Sequence, residues 1–121
     1  ADGQWWRGKS FDPYCPHGPC IVTPHSFGDP QDHAIGIDVR SADGSTDRLQ
    51  DGHTRHMIFG VAELITYIAR YITLEPGDVI ATGTPDGVGF ARTPPRYLTD
   101  GDVMTVWVEG IGELTNPCVV D

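Results

Sequence analysis

The 121-residue sequence has few cysteines, few basic residues and no long apolar run. Its three cysteines are an odd number, so we expect no disulfide framework and a reducing, cytoplasmic compartment. Eight Lys and Arg against seventeen Asp and Glu give a net charge of −9, which argues against nucleic-acid and anionic-membrane partners. No apolar run reaches the roughly 18 residues that a membrane-spanning helix needs.

Glycine and proline are abundant, with fifteen Gly and ten Pro, and they predict many turns and a β-rich fold. Alternating or wholly apolar patterns predict strands over residues 20–23, 34–39, 46–50, 78–82, 103–108 and 112–119. Asp43-Gly44 marks a hairpin turn between two of these strands. The polar segment 25–33 is a predicted loop with room for a single helical turn.

One segment has a helical period instead. Its apolar positions follow the spacing i, i+3, i+4, i+7 and i+11, at Val61, Leu64, Ile65, Ile68 and Ile72. This stripe predicts one principal helix over about residues 60–72, with Pro76-Gly77 beyond it as a stop signal. The predicted fold is therefore one α+β domain in which β-structure dominates.

Lys9 is the only lysine of the chain, and it lies in a Gly- and Pro-rich stretch among bulky residues such as Trp6 and Phe11. A lysine in that setting can project into a pocket and hold an anion or an enolate as a fixed cation. The alternative is a solvated loop lysine that pairs with Asp12, since lysines usually lie on the surface. The residues alone leave both interpretations open.

A second candidate site is the glycine-rich loop over residues 82–89, directly after an apolar segment. Its glycines let backbone N–H groups approach a ligand, and its threonines add hydroxyl donors, so it can cradle a carboxylate or an oxyanion. It lacks the Gly-Lys-Ser/Thr ending of a phosphate-binding loop, and no helical pattern follows as in a dinucleotide fingerprint. A tight turn with a purely geometric need for glycine is the alternative.

The histidines suggest weaker hypotheses. His53 and His56 have the i, i+3 spacing of metal ligands near Asp51, but no third ligand follows at a recognisable distance. We therefore interpret them as part of a polar loop before the helix. Cys15 and His17 are a weak signal for a nucleophile pair, because a loop leaves their geometry unconstrained.

Two other pairs of residues have structural interpretations. Cys20 and Cys118 are predicted to be small core residues. Asp78 and Asp102 each follow a glycine before a predicted strand, so we expect their carboxylates to bond the local backbone as turn residues.

Taken together, the motifs resemble the later part of the catalytic domain of the fumarylacetoacetate hydrolase family. The matching residues are 8–12 (Gly-Lys-Ser-Phe-Asp), 16–19, Thr54 with 57–59, 74–85, 87–89, Leu98 with 101–102, and 109–112 with Leu114 and Asn116. The resemblance implies a mixed β-sheet or β-roll of that family's C-terminal-domain type. It also implies that residues 1–121 are a partial catalytic domain and that the protein is a homodimer.

The resemblance implies a metal-dependent enzyme that hydrolyses carbon–carbon bonds in acylpyruvates and related 2-oxo acids through an enolate. The alternative within the family is an isomerase or decarboxylase of hydroxy-dienoic or oxo diacids in aromatic-acid degradation. Lys9 matches the family's catalytic lysine, while Gly83 and Thr84 match its substrate-binding loop. The implied cofactor is Mg²⁺ or Mn²⁺, with Ca²⁺ as a further possibility.

The family's metal-ligating carboxylates and its acid–base lid have no counterpart in these residues, so the sequence offers no metal ligand of its own. We expect those ligands upstream of this chain and expect the chain alone to be inactive. A hypothesis of another class follows from the same observation, namely a truncated, non-catalytic β-rich module.

Overall fold

The computed structural model describes residues 6–119. In that range the chain forms a four-stranded antiparallel sheet in the order β2-β1-β3-β4. The strands are β1 (Ala34–Arg40), β2 (Thr46–His53), β3 (Val103–Val108) and β4 (Gly112–Pro117). The helices are α1 (Pro24–Phe27) and α2 (Val61–Ile68), with 3₁₀ turns at Arg7–Lys9, Thr54–His56 and Gly89–Ala91. The β-dominant α+β class is confirmed, although this sheet is antiparallel throughout rather than mixed.

The β1–β2 hairpin closes on the predicted turn. Gly44 has a φ of +89°, a conformation that glycine adopts without a steric penalty. Its N–H donates to the carbonyl of Ser41 at 2.9 Å, and the Asp43 carboxylate accepts from the backbone of Ser45 at 2.8 Å. The Asp43-Gly44 signal therefore predicts this connection correctly.

A β-bulge interrupts the hairpin in β2. Arg48 pairs with Asp38 and Gln50 pairs with Ile37, so Leu49 is an extra residue with no partner in β1. Neighbouring residues of β1 point to opposite faces of the sheet, and directly paired residues share a face. Arg48 and Gln50 are two residues apart and would share a face in a regular strand, but the bulge turns them to opposite faces.

The Arg48 face of the sheet carries a polar and aromatic cluster. The Arg48 guanidinium donates to the Asp38 carboxylate at 2.9 Å and lies 5.2 Å above the Trp107 ring. Arg48 and the indole N–H of Trp107 both donate to Asp38, and the Arg48 contact is the main reason that the pKa of Asp38 is lowered. A side chain at Gly36 would collide with Trp107, so glycine is required where this ring crosses β1.

The opposite face holds the small core. Within residues 6–119, Val39 is the one apolar side chain that is fully buried. Asp102 is also buried, and it accepts from the backbone N–H of Thr99 at 2.9 Å and from Arg96 at 2.9 Å. The predicted role of Asp102 as a turn residue is confirmed, because its carboxylate satisfies local backbone.

The predicted strand over 78–82 is wrong. These residues belong to no ladder in the described sheet, and Val79 is 79% exposed. An apolar run becomes a strand only where a neighbouring strand supplies hydrogen-bond partners. Asp78, in contrast, behaves as predicted, since its carboxylate accepts from the backbone of Glu75 at 2.8 Å.

Three other sequence predictions need correction. Residues 20–23 form no strand, because Ile21 is 98% exposed and packs against nothing that would hold it in a sheet. Cys20 is exposed rather than part of the core, whereas Cys118 is half-buried and burial raises the pKa of its thiol. Helix α2 ends at Ile68 instead of residue 72, and Ile72 is exposed, so the end of the apolar stripe has no packing partner to extend the helix.

The surface is large for the size of the chain. It measures 9457 Å², whereas a compact protein of this mass exposes about 6,400 Å². Several large apolar side chains are exposed on it, among them Ile21, Ile58 and Val79. Among residues 6–119, no helix is both long enough and apolar enough to cross a membrane.

Candidate functional site

A cavity of about 580 Å³ lies where the end of β2 meets the glycine-rich loop. Its walls include residues 51–54 from β2 and the turn that follows it. Residues 56–59 and 82–86 complete most of the wall, with Ile35 and Leu64 contributing from β1 and α2. The cavity therefore opens on the sheet face that also carries Gln50.

The loop is fastened to β2 by the side chain of Gln50, which is 4% exposed. The amide nitrogen of Gln50 lies 2.9 Å from the Thr84 hydroxyl, 2.6 Å from the Pro85 carbonyl and 3.2 Å from the Asp86 carbonyl. A buried amide requires such partners, because its polar atoms have lost water. One side chain thus fixes three consecutive residues of the loop.

Close backbone contacts reinforce this attachment. A side chain at Gly52 would lie 2.8 Å from the Pro85 ring, so the ring packs too closely on this backbone for any residue but glycine. Gly87 has a φ of +99° and sits directly against the carbonyl of Leu49, the bulge residue. Arg92 donates to that same carbonyl at 3.0 Å. The loop is therefore shaped by the bulge beneath it.

The structure places two of the three predicted site residues in the cavity wall. Gly83 and Thr84 both line it, and Gly83 has a φ of +107°. Lys9 lies in the exposed 3₁₀ turn Arg7–Lys9 and is not among the residues that line this cavity. The catalytic role of Lys9 and the substrate-binding roles of Gly83 and Thr84 stay predictions.

The paired histidines also line the cavity, with 6.1 Å between their ring centroids. The His53 ring is engaged locally, because its Nδ1 accepts from the backbone N–H of Arg55 at 3.2 Å and from the guanidinium of Arg55 at 3.1 Å. Arg55 in turn donates to Asp32 at 2.9 Å. His53 is the last residue of β2 and His56 ends the 3₁₀ turn before α2, so the pair lies in the polar segment before the helix, as the missing third ligand led us to expect.

No group of three or more His, Cys, Asp or Glu side chains converges as a metal site in the part of the chain that the structure describes. The described residues therefore do not fit the first coordination shell of a divalent cation, which takes several carboxylate or carbonyl oxygens. The Cys15–His17 pair does not form a nucleophile arrangement either. His17 Nδ1 lies 3.0 Å from the backbone carbonyl of Cys15.

Comparison with known proteins gives the family. A family model described as the C-terminal part of fumarylacetoacetate (FAA) hydrolase matches residues 1–119. The chain belongs to the fumarylacetoacetate hydrolase family. The resemblance inferred from the motifs is thereby confirmed. The chain also matches relatives of this family over only part of their length, as the motifs predicted.

Among related sequences, a 2,4-didehydro-3-deoxy-L-rhamnonate hydrolase of Sphingomonas sp. (strain SKA58) is 48% identical over 90% of this chain and 37% of its own length. A mitochondrial oxaloacetate tautomerase of Xenopus laevis is 42% identical over 96% of this chain and 35% of its own length. The chain thus spans little more than a third of these relatives. They are enzymes of more than one reaction type within one family.

Solved structures agree on the fold. A fumarylacetoacetate hydrolase from Exiguobacterium antarcticum is 48% identical and superposes with a TM-score of 0.86, over 95% of this chain and 39% of that one. A maleylpyruvate hydrolase from Sphingobium sp. SYK-6, in complex with manganese(II) and pyruvate, is 33% identical with a TM-score of 0.80. That match covers 98% of this chain and 40% of the hydrolase.

Sequence reasoning missed Gln50, which organises the predicted substrate loop. A single glutamine in an alternating strand is typical of a solvent-facing position, so its identity carried no signal. Its burial depends on the bulge at Leu49 and on a loop more than thirty residues later in the chain. Arg92 was missed for the same reason, because its contact with the Leu49 carbonyl depends on tertiary structure.

Proposed function

We propose that the protein hydrolyses a carbon–carbon bond in an acylpyruvate-type 2-oxo acid through an enolate. The observation that carries this proposal is the cavity whose wall contains Gly83 and Thr84, in a chain of the fumarylacetoacetate hydrolase family. The rhamnonate-derived hydrolase and the pyruvate-bound maleylpyruvate hydrolase support 2-oxo acid chemistry among relatives. The proposed ligand is thus a small acid. The net charge of −9 argues against nucleic acid or an anionic membrane as the partner.

In this proposal the loop binds the substrate's carboxylate end. The Thr84 hydroxyl donates to an anionic oxygen, and the positive φ of Gly83 exposes nearby backbone N–H groups to the ligand. Lys9 acts as a fixed cation that stabilises the negative charge of the enolate. The Gly-Lys-Ser-Phe-Asp motif at residues 8–12 supports this assignment. Lys9 itself is not among the residues that line the cavity.

The reaction also calls for a divalent cation, which we propose to be Mg²⁺ or Mn²⁺, with Ca²⁺ as a further candidate. Such a cation polarises carbonyl oxygens and stabilises developing negative charge. The manganese in the maleylpyruvate hydrolase structure supports metal dependence in this family. Because residues 6–119 hold no three-ligand cluster, we propose that the ligands come from residues other than these.

The second candidate function is that of an isomerase, tautomerase or decarboxylase. Its substrates would be oxo diacids or hydroxy-dienoic acids of aromatic-acid degradation. The identity of 42% to an oxaloacetate tautomerase favours it. Both functions use the same enolate of a 2-oxo acid, so the same loop serves either reaction. A non-catalytic module is the proposal of another class, and the lack of a metal cluster in residues 6–119 favours it.

We further propose that the protein works as a homodimer in the cytoplasm. The exposed apolar side chains, such as Ile21, Ile58 and Val79, support their burial against further protein, and we propose that a second copy supplies part of it. The three described thiols are all free, as a reducing compartment would keep them.

The test is to offer the complete, Mg²⁺- or Mn²⁺-loaded gene product an acylpyruvate and oxaloacetate in parallel. Release of pyruvate from the acylpyruvate is the result expected for the hydrolase. Enol–keto conversion or carbon dioxide release from oxaloacetate, without acylpyruvate cleavage, would favour the second function. Absence of both activities together with no binding of either metal would favour the non-catalytic module.

A further inference from the structure

Gln50 connects the centre of the sheet with the loop that carries Thr84. It is a buried amide whose nitrogen faces one hydroxyl and two backbone carbonyls, the latter at Pro85 and Asp86. The bulge at Leu49 turns Gln50 toward this loop, away from the face that holds Arg48. The position of this side chain is therefore built into the hairpin.

The orientation of the amide follows from its partners. Carbonyl oxygens only accept hydrogen bonds, so the atom that faces the carbonyls of Pro85 and Asp86 is the nitrogen. The reversed amide would set an oxygen against two other acceptors. The amide nitrogen has two N–H groups, and its two nearest acceptors are the Pro85 carbonyl at 2.6 Å and the Thr84 oxygen at 2.9 Å, with the Asp86 carbonyl as a longer contact at 3.2 Å. The Thr84 oxygen therefore receives one N–H from Gln50.

This contact decides what the Thr84 hydroxyl can do. A hydroxyl has one proton to donate and two lone pairs that accept. The Thr84 oxygen accepts from Gln50, so its one proton goes to Oε1 of Gln50 or to an acceptor in the cavity. The competing internal acceptor, Oε1 of Gln50, is farther away at 3.2 Å, and a charged ligand oxygen is a stronger acceptor than an amide.

We infer that Gln50 is a positioning residue that holds the Thr84 oxygen at the cavity wall, so that the hydroxyl can turn its proton from Oε1 of Gln50 to an anionic oxygen of a 2-oxo acid. The identity of that ligand rests on the proposed function. The hold of Gln50 on the loop does not, because it follows from the contacts with Thr84, Pro85 and Asp86.

A double-mutant cycle in the complete, metal-loaded protein tests the inference, with pyruvate as the binding probe. Gln50→Glu keeps the shape but places an oxygen against the two carbonyls, and Thr84→Val removes the hydroxyl. We expect each substitution to weaken pyruvate binding about ten- to hundredfold, the effect of one hydrogen bond to a charged group. The double variant should bind no more weakly than Thr84→Val alone, because Gln50 acts through Thr84.

The matched control is Gln31→Glu. Gln31 is another partly buried glutamine that organises backbone, accepting from Val61 at the start of α2 at 3.2 Å. It lies outside the cavity wall, so this variant should bind pyruvate as the wild type does. For acylpyruvate turnover, Gln50→Glu should raise KM more than it lowers kcat, a division that general destabilisation does not produce.

Hydrogen exchange of residues 82–89 without ligand gives a readout that is independent of the proposed function. We expect faster exchange in Gln50→Glu and wild-type exchange in Gln31→Glu. Unchanged exchange in Gln50→Glu, or losses of pyruvate affinity that add in the double variant, would overturn the inference and leave the hydrolase proposal standing. A wild-type protein that turns over neither substrate would contradict the proposed function. A wild-type protein that does not bind pyruvate would contradict the ligand assigned to Thr84. Exchange would still decide whether Gln50 holds the loop.

Discussion

Arg96 and Asp102 form an ion pair in which the guanidinium nitrogen lies 2.9 Å from a carboxylate that is 1% exposed. Arg96 also donates to the Ser41 hydroxyl at 3.1 Å, so this pair joins the segment before β3 to the end of β1. The backbone N–H of Thr99 and then Arg96 hold the pKa of Asp102 below its ordinary value of 3.8.

Asp102→Asn should therefore lower the melting temperature at neutral pH. A carboxyl whose pKa is depressed by folding stabilises the protein above its ordinary pKa, and this contribution is lost as the pH falls through the folded-state value. The difference in Tm between wild type and variant should persist down to about pH 3.8 and shrink below it. Asp78→Asn, at an exposed turn carboxylate, is the control with the smaller effect. A difference that does not change with pH would contradict the prediction.

Two glycines of the loop should differ in their tolerance of alanine. Gly83→Ala meets open space and carries only the backbone penalty of a positive φ, about 1–2 kcal/mol of unfolding free energy. Gly87→Ala carries a similar penalty and also collides with the Leu49 carbonyl, which adds about 1–3 kcal/mol. Denaturant unfolding of both variants measures the difference. Equal losses would mean that the loop does not rest on the bulge.

Lys9→Ala should lower kcat/KM about 10²- to 10³-fold, the usual effect of removing a charge stabiliser of the transition state. The melting temperature should change little, because Lys9 lies in an exposed turn. Arg7→Ala, two residues earlier in the same turn, is the matched loss of a cation and should retain turnover. Wild-type activity in Lys9→Ala would remove this residue from the proposed site.

Removal of divalent metal by a chelator should abolish turnover, and addition of Mg²⁺ or Mn²⁺ should restore it. The affinity for Mn²⁺ should be the same in wild type, His53→Asn and His56→Asn, because neither histidine belongs to a three-ligand group in residues 6–119 and His53 is engaged by Arg55. Calorimetric titration of the three proteins measures this affinity. Weaker Mn²⁺ binding in either variant would make that histidine a metal ligand and contradict our assignment of the ligands to other residues.

The sequence predicts those parts of the fold whose partners are near in sequence or whose pattern is regular. The Asp43-Gly44 turn and the alternation of β1 and β2 reinforce each other, so the hairpin is confirmed. Residues 78–82 have an equally good apolar pattern but pair with no strand in the part of the chain described here. Apolar pattern reports a tendency toward burial, while a strand also needs a neighbour.

The sequence predicted only those residues of the site whose chemistry is local. Gly83 and Thr84 stand out because glycine and threonine have local backbone and hydroxyl chemistry that a sequence displays. Gln50 has no such signal, since its role arises from a one-residue shift of register and from a partner 34 residues away. Lys9 was singled out by its uniqueness and its motif, and its position relative to the cavity is a tertiary property that neither reveals.

The bulge in β2 makes the register of this strand a determinant of chemistry. If Leu49 paired with Ile37 in a regular ladder, Gln50 would pair with Gly36 and its amide would lie on the side of the sheet occupied by Trp107, with every amino acid of the loop unchanged. Two homologues with identical loops but different registers in this hairpin would then present different donors to the same acid. Strand register thus deserves the same weight as loop composition when substrate preference is compared within the family.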